Sequence, residues 1–171
     1  MKIRAWLPLI ACLSLDLAPT AGAERPASVP TTSHKGAAVT SHASGTFEVQ
    51  VKPLPNDEKV PGLTVGRMGY DKQWKGDIEG TSKGEMMTVA TSVDGSAGYV
   101  AVEHVTGTLA GRSGSFMLLH RGTMQGGAFS LDITVVPDSG TGQLIGLRGK
   151  LVIVIEGGKH SYEFDYSLSA A

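Results

Sequence analysis

The sequence predicts an all-β domain, a closed antiparallel eight-stranded meander barrel. Three observations predict it. Glycine occupies 23 of 171 positions, well above the usual proportion of about 7%. Short runs alternate apolar with polar side chains, the period of a half-buried strand. Glycine-containing dipeptides recur between those runs, as tight hairpins require.

The chain opens with Lys2 and Arg4, an apolar stretch from Ala5 to Leu17, and Ala21-Gly22-Ala23. A basic start, an apolar core and a small-x-small site are the layout of a secretory signal peptide. Residues 1–23 are therefore expected to be removed, and the protein to be secreted or periplasmic. Leu9-Ile10-Ala11-Cys12 also resembles a lipoprotein box. The apolar tract runs on past the cysteine, so a lipid anchor at Cys12 is the less favoured reading. Cleavage after Ala23 removes Cys12, the single cysteine of the chain, and with it any disulfide, thiolate nucleophile or cysteine metal site. No membrane span is expected, because Pro8 and Asp16 interrupt a stretch shorter than the roughly 20 residues a bilayer needs.

Residues 24–42 are rich in Pro, Ser, Thr and Ala and read as a disordered linker, with His34 and His42 as solvated histidines. The barrel domain is expected over residues 43–169. Phe47, Val49 and Val51 alternate with Thr46, Glu48 and Gln50 as its first strand. Pro53, Pro55, Pro61 and Gly62 mark a longer loop. Strand-like runs follow at about 63–74, 77–92, 96–110, 113–125, 128–137, 143–156 and 159–168.

Two-residue turns set register. A Gly157-Gly158 turn pairs Ile155 with His160, Ile153 with Tyr162 and Leu151 with Phe164, while the other face pairs Glu156 with Lys159 and Lys150 with Asp165. One face is apolar and the other carries matched charges. A Gly126-Gly127 turn pairs Met124 with Phe129 and His120 with Ile133, leaving Leu131 and Val135 on the same face. A Gly111-Arg112 turn pairs Val105 with Leu118, Glu103 with His120 and Tyr99 with Met124. The three hairpins agree on one apolar inner face, broken by Glu103 opposite His120.

Those two residues are the candidate catalytic pair. A carboxylate beside an imidazole serves as a general acid and base, or holds the polar end of an apolar ligand. A buried ion pair that only sets register is the structural alternative. Tyr99, Phe116, Leu118, Phe129, Ile133, Tyr162 and Phe164 are the candidate ligand lining. His160 shares the inner parity beside a turn. A two-residue turn at Asp94-Gly95 puts Met86 inside, beside Glu103, and turns Glu85 outward; a bulge at Gly80 or Gly84 reverses this and brings Glu79 in. Either Arg67, Asp71 and Gln73 face inward or Met68, Tyr70 and Trp74 do, the second being preferred. Asp138-Ser139-Gly140-Thr141-Gly142 has the glycines of a phosphate loop but no lysine and no following helix, so it reads as a plain turn. No cofactor and no metal are expected. Lys and Arg total 15 against 16 Asp and Glu, with no basic stripe, so nucleic acid is not an expected partner. The oligomeric state is left open.

Several strings together resemble one bacterial family. They are Gly66-Arg67-Met68, Gly76-Asp77-Ile78-Glu79-Gly80-Thr81-Ser82, Gly95-Ser96-Ala97-Gly98-Tyr99-Val100, Gly114-Ser115-Phe116, the run Val135-Val136-Pro137-Asp138-Ser139-Gly140-Thr141-Gly142, and Gly158-Lys159-His160. Over about residues 42–168 the chain resembles the DUF3224 family, whose function is unknown. The resemblance implies a closed eight-stranded meander similar to the allene oxide cyclase barrel. It implies no activity and transfers no catalytic residues.

Three functions stand open on this reading. The first is a barrel that binds a small, largely apolar ligand. The second is an isomerase or cyclase that uses Glu103 and His120 for proton transfer. The third is a structural envelope protein with a filled barrel.

Overall fold

The computed structural model describes residues 40–168. The expected signal peptide, most of the expected linker and residue 169 lie outside the described residues. The strands are β1 (Ser41–Pro53), β2 (Leu63–Gly76), β3 (Ile78–Thr91), β4 (Ala97–Leu109), β5 (Arg112–Gln125), β6 (Ala128–Val135), β7 (Leu147–Glu156) and β8 (Lys159–Leu168). They pair antiparallel in chain order and close β8 onto β1 as an eight-stranded barrel. Among the described residues no helix is long and apolar enough to cross a membrane.

The barrel begins two residues before the expected boundary. Ser41 and His42 belong to β1, opposite Tyr166 and Asp165. His42 is not a linker histidine: Nδ1 lies 2.8 Å from Asp165 and Nε2 2.7 Å from Glu163. The expected seventh strand starts late. Residues 142–144 form a single 3-10 turn, and β7 begins at Leu147.

The glycine-pair turns after β5 and β7 have the expected registers, with Met124 opposite Phe129 and Ile155 opposite His160. The other two hairpins are each displaced by two residues. The β4–β5 turn is Ala110-Gly111, with φ of 46° and 78°, the two positive values of a type I′ turn. Leu109 therefore faces Arg112, and Glu103 faces Leu118 rather than His120. After β3 the Thr91 amide donates to the Ser96 carbonyl, closing a loop over residues 92–95. Gly84, not Met86, is the partner of Glu103. A shift of two preserves the pleat parity, so every inward side chain stays inward. Tyr70 and Trp74 are buried, whereas Arg67, Glu79 and Glu85 are exposed.

The two ends of the barrel differ. At one end the β6–β7 connection folds back under the sheet. Thr141 donates its amide to the Ser115 carbonyl, Ser139 Oγ accepts the Met117 amide, and Leu144 is buried. The Asp138–Gly142 stretch is thus a structural turn. Above it Phe116 stacks on Phe164, with centroids 6.1 Å apart, and Leu118, Ile133, Val135, Leu147 and Leu151 fill the interior. The other end carries the short β5–β6 and β7–β8 turns and stays open. Strand β6 meets β7 at only Ile133↔Leu151 and Thr134↔Lys150, so residues 128–132, toward the open end, have no register partner on β7. Strand β1 pairs with β8 through Phe47 but with β2 as far as Pro53. The β7–β8 hairpin is too short to cover residues 48–53, which leaves a notch in the wall.

Candidate functional site

Strand tilt brings residues from four strands to one level inside the barrel. Glu103, wholly buried, is the centre. Its Oε2 lies 2.8 Å from Lys72 Nζ and 3.5 Å from the Tyr70 hydroxyl, and Oε1 accepts a hydrogen bond from Ser82 Oγ. Trp74 Nε1 donates to Ser82 Oγ at 3.0 Å. His120, only 4% exposed, brings Nε2 within 3.0 Å of Oε2. That approach is not aligned as a hydrogen bond, and among the described residues Nε2 has no hydrogen-bond partner. Glu103 and His120 therefore do meet, but as diagonal neighbours across β4 and β5 rather than opposite each other.

Lys72 is only 5% exposed. Its ammonium sits over three aromatic rings: Phe47 at 4.6 Å, Trp74 at 4.8 Å and Tyr70 at 5.4 Å. Such faces and one carboxylate partly replace the water a buried cation loses. Burial still pushes the Lys72 ammonium down from its usual range, against the opposing pull of Glu103. Burial pushes the Glu103 carboxyl up, but His120, Lys72 and Ser82 outweigh it and bring the group to about 2. Burial, then the Glu103 charge, raises the Tyr70 phenol and pushes Tyr99 up to about 12.

This chemistry bears on the proton-transfer reading. A carboxylate held near 2 and hydrogen-bonded on both oxygens is a weak base at neutral pH. Gly80-Thr81-Ser82-Lys83-Gly84 has the Gly-x-Ser-x-Gly spacing of a hydrolase nucleophile. It lies within the continuous strand β3, not on a strand-to-helix elbow. Glu103 also stands between Ser82 and His120, so the imidazole cannot take the serine proton as it does in a triad. Among the described residues no three His, Cys, Asp or Glu side chains are arranged to hold a metal ion.

The expected ligand lining divides. Phe116, Leu118, Ile133, Tyr162 and Phe164 are packed core, with no free face for a ligand. The Tyr162 hydroxyl is used structurally, accepting the Ile78 amide at 2.7 Å. Only Tyr99 and Phe129 lie toward the open end, stacked with centroids 6.5 Å apart. Tyr99 lies over Gly122 and Tyr70 over Gly84, where an added Cβ would stand 2.1 Å and 2.3 Å from the rings. These two phenol rings roof the charged cluster.

What remains open is the notch, a groove of about 700 Å³. Phe47, Val49, Lys72 and His160 line it together with polar and charged side chains, Glu48, Asp71, Lys75 and Lys159 among them. Lys72 is thus shared between the buried cluster and the groove.

The family described as protein of unknown function (DUF3224) matches residues 43–166. The chain belongs to the DUF3224 family. A crystal structure of a DUF3224 protein of unknown function from Shewanella oneidensis MR-1 is similar, at 45% identity and a TM-score of 0.75, covering 78% of this chain and 100% of that one. No curated protein matches.

Sequence reasoning missed Lys72 and Ser82 in this DUF3224 barrel, although signals for both were present. Lys72 alternates with Tyr70 and Trp74, the preferred inward row. Ser82 is its direct partner across β2 and β3.

Proposed function

We propose that this DUF3224 protein binds a small, largely apolar molecule in the notch between β1 and the β7–β8 turn. One observation carries the reading: a groove of about 700 Å³ has Phe47, Val49 and the buried Lys72 in its lining, beside polar and charged side chains. That size is within the range of small-molecule sites. The packed end leaves the lumen below Glu103 no room for a ligand, so binding moves from the barrel interior to its wall. The Lys2–Ala23 pattern supports an exported protein that meets its ligand outside the cytoplasm. Native mass spectrometry of protein recovered from the exported fraction tests both parts. The expected species begins at Glu24 and carries a bound small molecule. A mass that includes an acylated Cys12 overturns the cleavage site. No bound mass, together with no response of notch residues in an NMR fragment screen, overturns the binding.

A further inference from the structure

We infer that the outer wall over β3, β4 and β5 is a docking face for a second copy of this chain, joined about a two-fold axis. The inference is independent of the notch, which lies across the barrel beside β8 and β1. Strand β4 reads Val100-Ala101-Val102, and β5 reads Phe116-Met117-Leu118-Leu119. Ala101, Phe116 and Leu118 are buried inside the barrel. Val100, Val102 and Leu119 alternate with them, point outward, and are 54%, 48% and 48% exposed; Met87 on β3 is 52% exposed. Met87 lies opposite Val100 and Val102 opposite Leu119, so the four side chains form one patch. By contrast, β8 turns Lys159, Ser161, Glu163 and Asp165 outward. Strands covered on both faces read as continuous apolar runs, and a contiguous exposed apolar patch marks an interaction site.

The border of the patch identifies its occupant. Glu85 lies opposite Val102 on one side, and Arg121 lies opposite Val100 on the other. They stand at diagonal corners, about 12 Å apart by strand spacing and rise. An isologous contact lays one patch on itself. A two-fold axis between Val100 and Val102, at right angles to that diagonal, sets Glu85 against the second copy's Arg121 and Arg121 against its Glu85. The apolar side chains then meet between two ion pairs. Both charged groups are free to do this. Among the described residues Arg121 makes no salt bridge, since Asp132, its neighbour on β6, is held by Lys150 at 2.6 Å. Glu85 gives only Oε2 to Arg67 and is 58% exposed. An apolar centre with charges at its rim is the anatomy of a protein interface. Four side chains are a small centre beside the roughly 800 Å² per partner of a standard interface, so the dimer is expected to be reversible, dissociating in the micromolar range.

Sedimentation velocity of the exported protein over a concentration series is the test. A monomer–dimer equilibrium is expected, with dimer predominant by about 500 µM. Val102→Asp places a charge at the centre of the patch and is expected to weaken the dimer by about tenfold or more, with circular dichroism showing an intact barrel. Arg121→Glu sets carboxylate against carboxylate across the axis, and Glu85→Arg sets guanidinium against guanidinium. Each alone is expected to weaken self-association by about tenfold. Mixed together, these two variants re-form both ion pairs, and a heterodimer of near-original affinity is expected. An unaltered protein that stays monomeric at the highest concentration overturns the second copy as the occupant and leaves the patch to a different partner. A dimer indifferent to Val102→Asp is built on another face and overturns the inference. A trimer overturns the two-fold axis. A dimer that Val102→Asp breaks, but that the mixed charge variants do not restore, overturns the Glu85–Arg121 pairing.

Discussion

The two halves of the barrel are built from the same alternating strands and end up unlike. Toward the β6–β7 connection, inward Phe116, Leu118, Leu147, Leu151 and Phe164 are buried and mutually packed. Toward the hairpin turns, Val51, Phe129 and Ile155 also point inward, yet stay 53%, 40% and 42% exposed. Parity is identical in both sets. What differs is closure. The 136–146 segment caps one end with Leu144, whereas the short β7–β8 hairpin leaves the other end notched. Inward direction is thus a property of the strand, and burial is a property of the position along the barrel axis. The charged cluster lies where the two regimes meet: Glu103 is as dry as the packed end, and Lys72 also lines the notch.

The largest expected effect tests that boundary. Glu103→Gln or Lys72→Met alone leaves one buried partner uncompensated and should cost about 3–5 kcal/mol in chemical unfolding. The Lys72→Met, Glu103→Gln double variant should cost much less than the sum, and additive losses would mean the two charges do not sense each other. The pH dependence has a definite sign. The Glu103 carboxyl is lowered from 4.5 to about 2, so its contribution is complete above the unfolded value and is lost as pH falls toward 2. Acid unfolding of the double variant should lack that contribution.

A second comparison sets one half directly against the other. Phe164→Ala should cost about 3–5 kcal/mol, the range for a buried aromatic, and Phe129→Ala about 1 kcal/mol, since much of that ring is already in water. Equal losses in thermal unfolding would remove the distinction between packed and open ends.

Turn chemistry gives a smaller effect. Ala110 holds φ of 46° in the β4–β5 turn, a conformation that costs an L-residue roughly 1–2 kcal/mol. Ala110→Gly relieves this while loosening the unfolded chain, for a net gain of up to about 1 kcal/mol. A loss on this substitution would argue against the Ala110-Gly111 turn and for the Gly111-Arg112 alternative.

The smallest effect lies on β1, which is zipped to β8 in its first half and free in its second. His42 touches Asp165 and Glu163 with its two ring nitrogens, so both contacts are hydrogen bonds only when the ring is protonated. The Asp165 and Glu163 carboxylates raise its pKa above 6.5. Its support is therefore complete below 6.5 and disappears as pH rises through the raised value. The stability difference between the unaltered protein and His42→Ala should be present at pH 5.5 and vanish at high pH. A difference independent of pH would show that the clasp does not depend on the imidazolium.

The register errors show how much was legible. Glycine pairs at 126–127 and 157–158 admit one tight turn each, and the paired charges Lys150 and Asp165 corroborate it. Around Gly111 two turns compete, Ala110-Gly111 and Gly111-Arg112, and both keep Val105, Phe116 and Leu118 inward. Hydrophobic patterning cannot separate registers two residues apart. The Glu103–His120 meeting was foreseen through a wrong register because tilt lets diagonal neighbours touch. Lys72 escaped notice because a lysine in an apolar row reads as a solvated residue until its counter-ion is known.

By itself, then, the sequence determined the eight strands and, from β4 to β8, the face each side chain takes, because pleating alternates with a period of two wherever the chain is extended; the facing of β2 and β3 it left open. Only the tertiary structure decided which inward residues are dry, that Glu103 and Lys72 form one buried ion pair, and that Lys72 also lines a notch. Those depend on strand tilt, on barrel closure and on the unequal lengths of β1 and the β7–β8 hairpin, which no single strand encodes.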